Sequence, residues 1–129
     1  MALPNSSMTE KQKQDLLRSV LPAGVMDPAF NWVNRAMEDG RTPLFIVCEK
    51  GHVDAARLLL DKGAEVDRAK EDGRTPLYIA CQEGHVDVVR LLLGTLKYSY
   101  GKGADVDRAD KDGLTPLYIA SENGHVDAA

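Results

Sequence analysis

Apolar and polar positions alternate in this chain on two scales. Locally, Val86, Val89, Leu92 and Leu93 recur at helical spacing, with Asp87 placed in the first turn where a carboxylate complements the helix dipole. The segment before them carries its own punctuation. Asp72-Gly73 is a turn dipeptide, Thr75 can cap a helix through its hydroxyl, and Pro76 suits the first helical position because its missing amide would be unpaired there. Gly84 ends that helix without a Cβ penalty, and His85 opens the next. On the longer scale the whole block returns. Residues 39–71, 72–111 and 112–129 align as three units, with Thr42 and Thr75 separated by 33 positions and Thr75 and Thr115 by 40. The second unit therefore holds seven extra residues. Gly63 closes the second helix of the first unit, and Gly103 is its counterpart in the second.

Such short helices are marginal alone, since nucleation is costly and few hydrogen bonds follow it. Stacked side by side they form a solenoid whose core runs from unit to unit. Two more helices are expected upstream. Ser7 and Glu10 have capping-box spacing before a stripe of Leu16, Leu17, Val20 and Leu21, while Asp27-Pro28 opens a segment in which Phe30, Val33 and Met37 share a face, with Trp32 nearby. Residues 1–38 read as a helical cap over the exposed end of the first unit. A separate docking pair is the alternative.

The strings TPLYIA, GHVDVVRLLL and KGADVD closely resemble the ankyrin repeat, and the resemblance covers residues 39–129, or 91 of 129 positions. It implies an all-α solenoid of antiparallel helix pairs with projecting β-hairpin loops, used for binding other proteins and not for catalysis. Departures from the pattern carry information too. Phe45, Tyr78 and Tyr118 stand where the repeat usually has histidine, giving an aromatic row. Asp67 and Asp107 replace the common hairpin asparagine, so asparaginyl hydroxylation is not expected. The third unit lacks the Arg-Leu-Leu-Leu of the others, which makes a capping or regulatory fragment of a longer repeat protein, or self-association through an open C-terminal face, the competing readings.

Composition narrows the function classes. At 129 residues there is no room for a cofactor domain beside a substrate domain. Sixteen basic and twenty acidic residues, net charge −4, give no reason to expect nucleic acid. Neither a run of roughly 18 apolar residues nor the apolar core of a secretion signal is present, so a cytoplasmic location is expected, with a nuclear one also open and no membrane partner. His52, His85 and His125 occupy one point in successive units, on the order of 10 Å apart, too far to share a zinc ion, and read as loop residues. Cys48 and Cys81 are likewise equivalent positions, expected as buried reduced thiols. Asp105, Asp107, Asp110 and Asp112 do not make a calcium loop, because placing Gly113 sixth puts Arg108 first and Ile119 twelfth. Gly101-Lys102-Gly103 lacks the remainder of a phosphate-binding loop. No catalytic constellation, metal site or cofactor is expected.

The extra residues form GTLKYSYG, 94–101, in place of the single Asp61. Seven residues are almost two turns at about 3.6 per turn, which favours a phase-preserving helical extension. The bounding glycines, each disfavouring helix by about 1 kcal/mol, allow instead an extended loop with Leu96, Tyr98 and Tyr100 on one side. In either form Tyr98 and Tyr100 have the composition of a binding hot spot, the alternative being an insertion simply tolerated at a loop. By the resemblance, a protein or peptide partner would lie against the hairpin tips and the concave face of the first helices. Those positions are Glu38, Asp39, Arg41, Glu49 and Lys50, then Glu71, Asp72, Arg74, Gln82 and Glu83, then Lys111, Asp112, Leu114, Glu122 and Asn123, flanked by Phe45, Tyr78 and Tyr118. The exchange of Arg41 and Arg74 for Leu114 makes this surface non-uniform.

Overall fold

The computed structural model describes residues 8–29, 31–94 and 107–124. Among them are α1 (Glu10–Val20), a 3-10 turn (Trp32–Asn34), α2 (Pro43–Lys50), α3 (Val53–Asp61), α4 (Pro76–Glu83), α5 (Val86–Leu92) and α6 (Pro116–Glu122). The capping chemistry repeats from unit to unit. Thr42, Thr75 and Thr115 each accept the backbone N–H three residues on, from Phe45, Tyr78 and Tyr118, and proline begins each helix. Gly51 and Gly84 close α2 and α4 in the left-handed conformation, at φ 77° and 73°. Two-residue connections then fold α3 back on α2 and α5 back on α4.

The helices stand in two rows. α2, α4 and α6 pack successively in one, and α1, α3 and α5 in the other. α2 packs against the 3-10 turn, α3 and α4, and α4 against α2, α5 and α6, which explains why both are apolar almost all round, with six of eight residues buried in each. One core runs the length of the array, from Leu17 and Leu21 of the N-terminal segment through Leu58, Leu59, Val88 and Leu92 to Ile119 and Ala120. The hairpin loops project as turns, closed by Met37 N–H to Arg41 O at 2.8 Å, Lys70 N–H to Arg74 O at 3.0 Å and Asp110 N–H to Leu114 O at 2.9 Å. Successive tips are joined by Glu71 N–H to Asp39 O and Lys111 N–H to Asp72 O. Approach at the second joint is close enough that a Cβ on Gly73, already at φ 88°, would lie 2.9 Å from the Lys111 nitrogen.

Four expectations change. The expected β-hairpins contain no strand among the described residues, since each tip makes too few pairs to build a ladder. The cap of α1 is Thr9 and not Ser7, in a reciprocal box where the Thr9 hydroxyl accepts the Gln12 backbone N–H and the Gln12 side-chain oxygen accepts the Thr9 backbone N–H. The second upstream helix is replaced by the 3-10 turn. Asp27 Oδ1 accepts the Ala29 N–H in a local turn, and Asn34 is drawn to the loop after α3, donating to Gly63 O at 3.0 Å and accepting from Glu65 N at 2.8 Å. Finally, a helical extension through the insertion is interrupted at its start, because α5 ends at Leu92 and Gly94 takes φ 72°. Leu96, Tyr98, Tyr100, Gly103, His125 and Phe30 lie outside the described residues.

Candidate partner-binding face

The tips and first helices form a row of polar groups organised by the Asp-Gly-Arg-Thr sequence. Asp39 Oδ1 accepts the Arg41 N–H at 3.1 Å while its Oδ2 accepts Arg41 Nε at 2.8 Å, and the same guanidinium reaches Glu49 at 3.6 Å. One unit on, Asp72 holds Arg74 in the same way, at 3.1 Å through the amide and 2.6 Å through Nε. Arg74 Nη1 then donates to Gln82 at 3.3 Å, and Gln82 donates to Glu83. Lys70 adds a longer contact to Asp72 at 3.9 Å. The Arg41 amide, with the nearby Arg41 charge, lowers the Asp39 pKa against a smaller opposing effect of burial. For Asp72, burial acts to raise the pKa, but the bonds from Arg74 and the charges of Arg74 and Lys70 together lower it. Each arginine is thus fixed and largely neutralised by its own unit.

The third unit breaks this scheme. Leu114 replaces arginine, and Asp110 Oδ1 takes over the tip, accepting the N–H groups of both Asp112 at 2.9 Å and Leu114 at 3.0 Å. Asp112 and Glu122, the counterparts of Asp39 and Glu49, are exposed. Neither has a side-chain hydrogen bond or ion pair among the described residues.

The aromatic row divides in two. Phe45 and Tyr78 are only 1% and 3% exposed, so their expected role as partner contacts is corrected: the following hairpin covers each ring. Lys70 Nζ lies 6.0 Å from the centre of the Phe45 ring. At the next joint Asp110 accepts the Tyr78 hydroxyl, and burial together with that bond and the Asp110 charge pushes the phenol up to about 12. Tyr118 is 54% exposed and does face solvent. Lys70 and Asp110 were not among the expected site residues. Both stand two positions before a tip aspartate, and the recurrence of that place in the alignment was the available signal.

Two family models match the chain, one described as ankyrin repeats in three copies over residues 8–99, the other as ankyrin repeats in many copies over residues 93–129. The chain belongs to the ankyrin repeat family. Ankyrin repeats are generally protein-protein interaction modules and typically non-catalytic. A comparison with curated proteins returns no match for the chain.

Other chemistry-bearing residues of these ankyrin repeats have structural surroundings. His85 Nε2 lies 2.9 Å from Glu49 O, tying the loop before α5 to the last turn of α2, while His52 is exposed. Cys48 and Cys81 are buried thiols outside any disulfide, with burial raising the Cys48 thiol pKa strongly and pushing Cys81 up to about 11. Among the described residues no group of three or more histidine, cysteine or carboxylate side chains is placed to hold a metal ion, and no helix is long and apolar enough to cross a membrane. Sequence reasoning did not foresee an open groove of about 660 Å³ between the N-terminal segment and the first tip, lined by Pro22, Val25, Arg35, Met37 and Asp39 among others.

Proposed function

We propose that this ankyrin array is a non-catalytic binding module that holds a protein or peptide across its hairpin tips and the concave face of α2, α4 and α6. The observation that carries this reading is the ordered rim. Arg41, Glu49, Arg74 and Gln82 are half-exposed, yet their geometry is set by bonds within the chain, so little side-chain freedom is lost when a partner docks. α1 serves as the cap of this rim's first unit. A cytoplasmic setting suits the two reduced, buried thiols.

Affinity capture from cell extract by the intact chain and by an Arg41→Ala, Arg74→Ala variant tests the reading, followed by hydrogen exchange on the isolated complex. The variant is expected to bind the captured protein about tenfold more weakly, with protection over the first two tips and the starts of α2 and α4. Protection confined to α1, α3 and α5 would overturn it.

A second reading rests on a different observation. Leu117 and Tyr118 are 57% and 54% exposed, whereas Leu44 and Leu77, the counterparts of Leu117, are 1% and 2% exposed because the next unit covers them. A further repeat following in a longer protein would cover this surface, and so would a second copy of the chain through α6. Light scattering at increasing concentration decides it, since a strictly monomeric chain excludes that mode.

A further inference from the structure

The third unit contains a vacant arginine position, and its two occupied copies show what fits. In the first two units one guanidinium bridges a tip aspartate and a residue on the following helix, Asp39 to Glu49 and Asp72 to Gln82. The backbone of the third unit matches theirs. Its tip closes through the same hydrogen bond, Asp110 N–H to Leu114 O at 2.9 Å, and Thr115 and Pro116 begin α6 as Thr42 and Pro43 begin α2. Asp112 and Glu122 therefore occupy the two ends of a gap that a guanidinium spans elsewhere in the chain.

A separate observation explains why Asp112 stands ready for a partner. In the earlier units the tip aspartate is engaged twice, by an amide and by Nε of its own arginine. In the third unit Asp110 accepts the amides, so the Asp112 carboxylate keeps no internal donor among the described residues. Lys111 beside it is exposed and makes no ion pair among them. The surroundings also suit the stem of an arginine. Leu114, partly buried against the core, supplies an apolar flank where the first two units carry the stem of their own arginine.

Resting on the binding function proposed above, we infer that the partner inserts an arginine side chain flanked by apolar residues at the third unit, its guanidinium between Asp112 and Glu122 and its stem against Leu114. Charge complementarity selects a cation, and the template set by Arg41 and Arg74 selects a planar one with donors on two sides. The first two units, already neutralised from within, supply contact area, while the third supplies the charge that orients the partner.

Fluorescence anisotropy with a short labelled peptide bearing one arginine between leucines, against the same peptide with citrulline, tests this on the full chain. Binding of the arginine form is expected to be about fivefold tighter, the upper range for an exposed ion pair. The preference should vanish in Asp112→Asn, Glu122→Gln, which keeps shape and removes charge. It should also vanish in Leu114→Arg, which fills the position from within as the first two units do. Equal binding of the two peptides, or a preference that survives both variants, overturns the inference. If the captured protein protects the first two tips while no arginine preference exists, this proposal alone falls; protection confined to α1, α3 and α5 removes the binding-face reading with it.

Discussion

The hydroxyl of Tyr78 offers a sharp test of how neighbouring units are joined. Tyr78 is 3% exposed and donates to Asp110, the residue that also holds the third tip, so Tyr78→Phe removes one link between α4 and the following hairpin. A hydrogen bond to a charged acceptor contributes about 1.5–3 kcal/mol, and Asp110 retains its two amide donors in the variant, so the loss at neutral pH should fall within that range. The same contact has a pH signature. The phenol is raised from 10.0 to about 12 in the folded chain, so between those values the native state holds a proton that the unfolded state has released. Stability from this group is complete below pH 10 and declines as pH rises toward about 12. At about 1.36 kcal/mol per pKa unit, the whole decline is about 2.7 kcal/mol. Urea unfolding followed by far-ultraviolet circular dichroism, for both proteins at pH 8 and pH 11, isolates the effect, because lysines and the other tyrosines titrate in both. The advantage of the parent chain should shrink at the higher pH. An advantage equal at the two values would refute the contact and the linkage together.

The remaining predictions concern the stack, the cap and the tips. Gly51→Ala should cost more than Gly63→Ala in thermal unfolding: both glycines have positive φ, but a Cβ at Gly51 would lie 2.6 Å from His85 Nδ1, whereas nothing stands within 4 Å at Gly63. The positive φ alone accounts for about 1–2 kcal/mol in each, and a smaller loss for Gly51→Ala would contradict the close approach. Leu17→Ala in α1 should cost about 2–5 kcal/mol by denaturant titration, because Leu17 is 0% exposed in the shared core; a loss below about 1 kcal/mol would separate α1 from the array. Asp39 and Asp72 have lowered pKa values, so their contribution is present above the ordinary value of 3.8 and lost as pH falls through the lower folded values. Acid titration should therefore show a steeper stability loss below about pH 4 in the parent than in Asp39→Asn, Asp72→Asn, and parallel curves would remove the tips from acid unfolding.

Much of the fold was readable because its signals are local. A threonine cap, a proline at the first turn and a closing glycine act within one helix, and their recurrence in register led directly to the stack. The failures share a different origin. Asp27-Pro28 is a sound helix-start signal, but Asn34 finds both of its partners about thirty positions later, at Gly63 and Glu65, and those bonds prevail over local preference. Phe45 and Tyr78 were assigned to the surface from their place in the repeat, whereas their burial depends on the neighbouring hairpin lying over them. The transfer of tip capping from Asp112 to Asp110 is harder still to read. Aspartate at both positions is visible in the sequence, but which one accepts the amides depends on three-dimensional geometry.

That geometry makes the units less interchangeable than their sequences suggest. The position two before the tip aspartate is Met37, Lys70 or Asp110, and its chemistry matches the ring beneath it. Lysine lies near Phe45, which offers only a π face, and aspartate meets Tyr78, which offers a hydroxyl. Exchanging the two would place a carboxylate over a ring with no donor and an ammonium beside a phenol whose proton has lost its acceptor. The apolar core cannot distinguish one ankyrin unit from the next, since Leu44 and Leu77, or Ile46 and Ile79, are equivalent. These polar pairs at the margin can, since each joint carries its own matched contact. Asp110 serves both ends of this arrangement: it meets Tyr78 across the joint and accepts the tip amides of Asp112 and Leu114, so the Asp112 carboxylate has no internal donor among the described residues, and one residue sets both the joint between the second and third units and the charge exposed at the third tip.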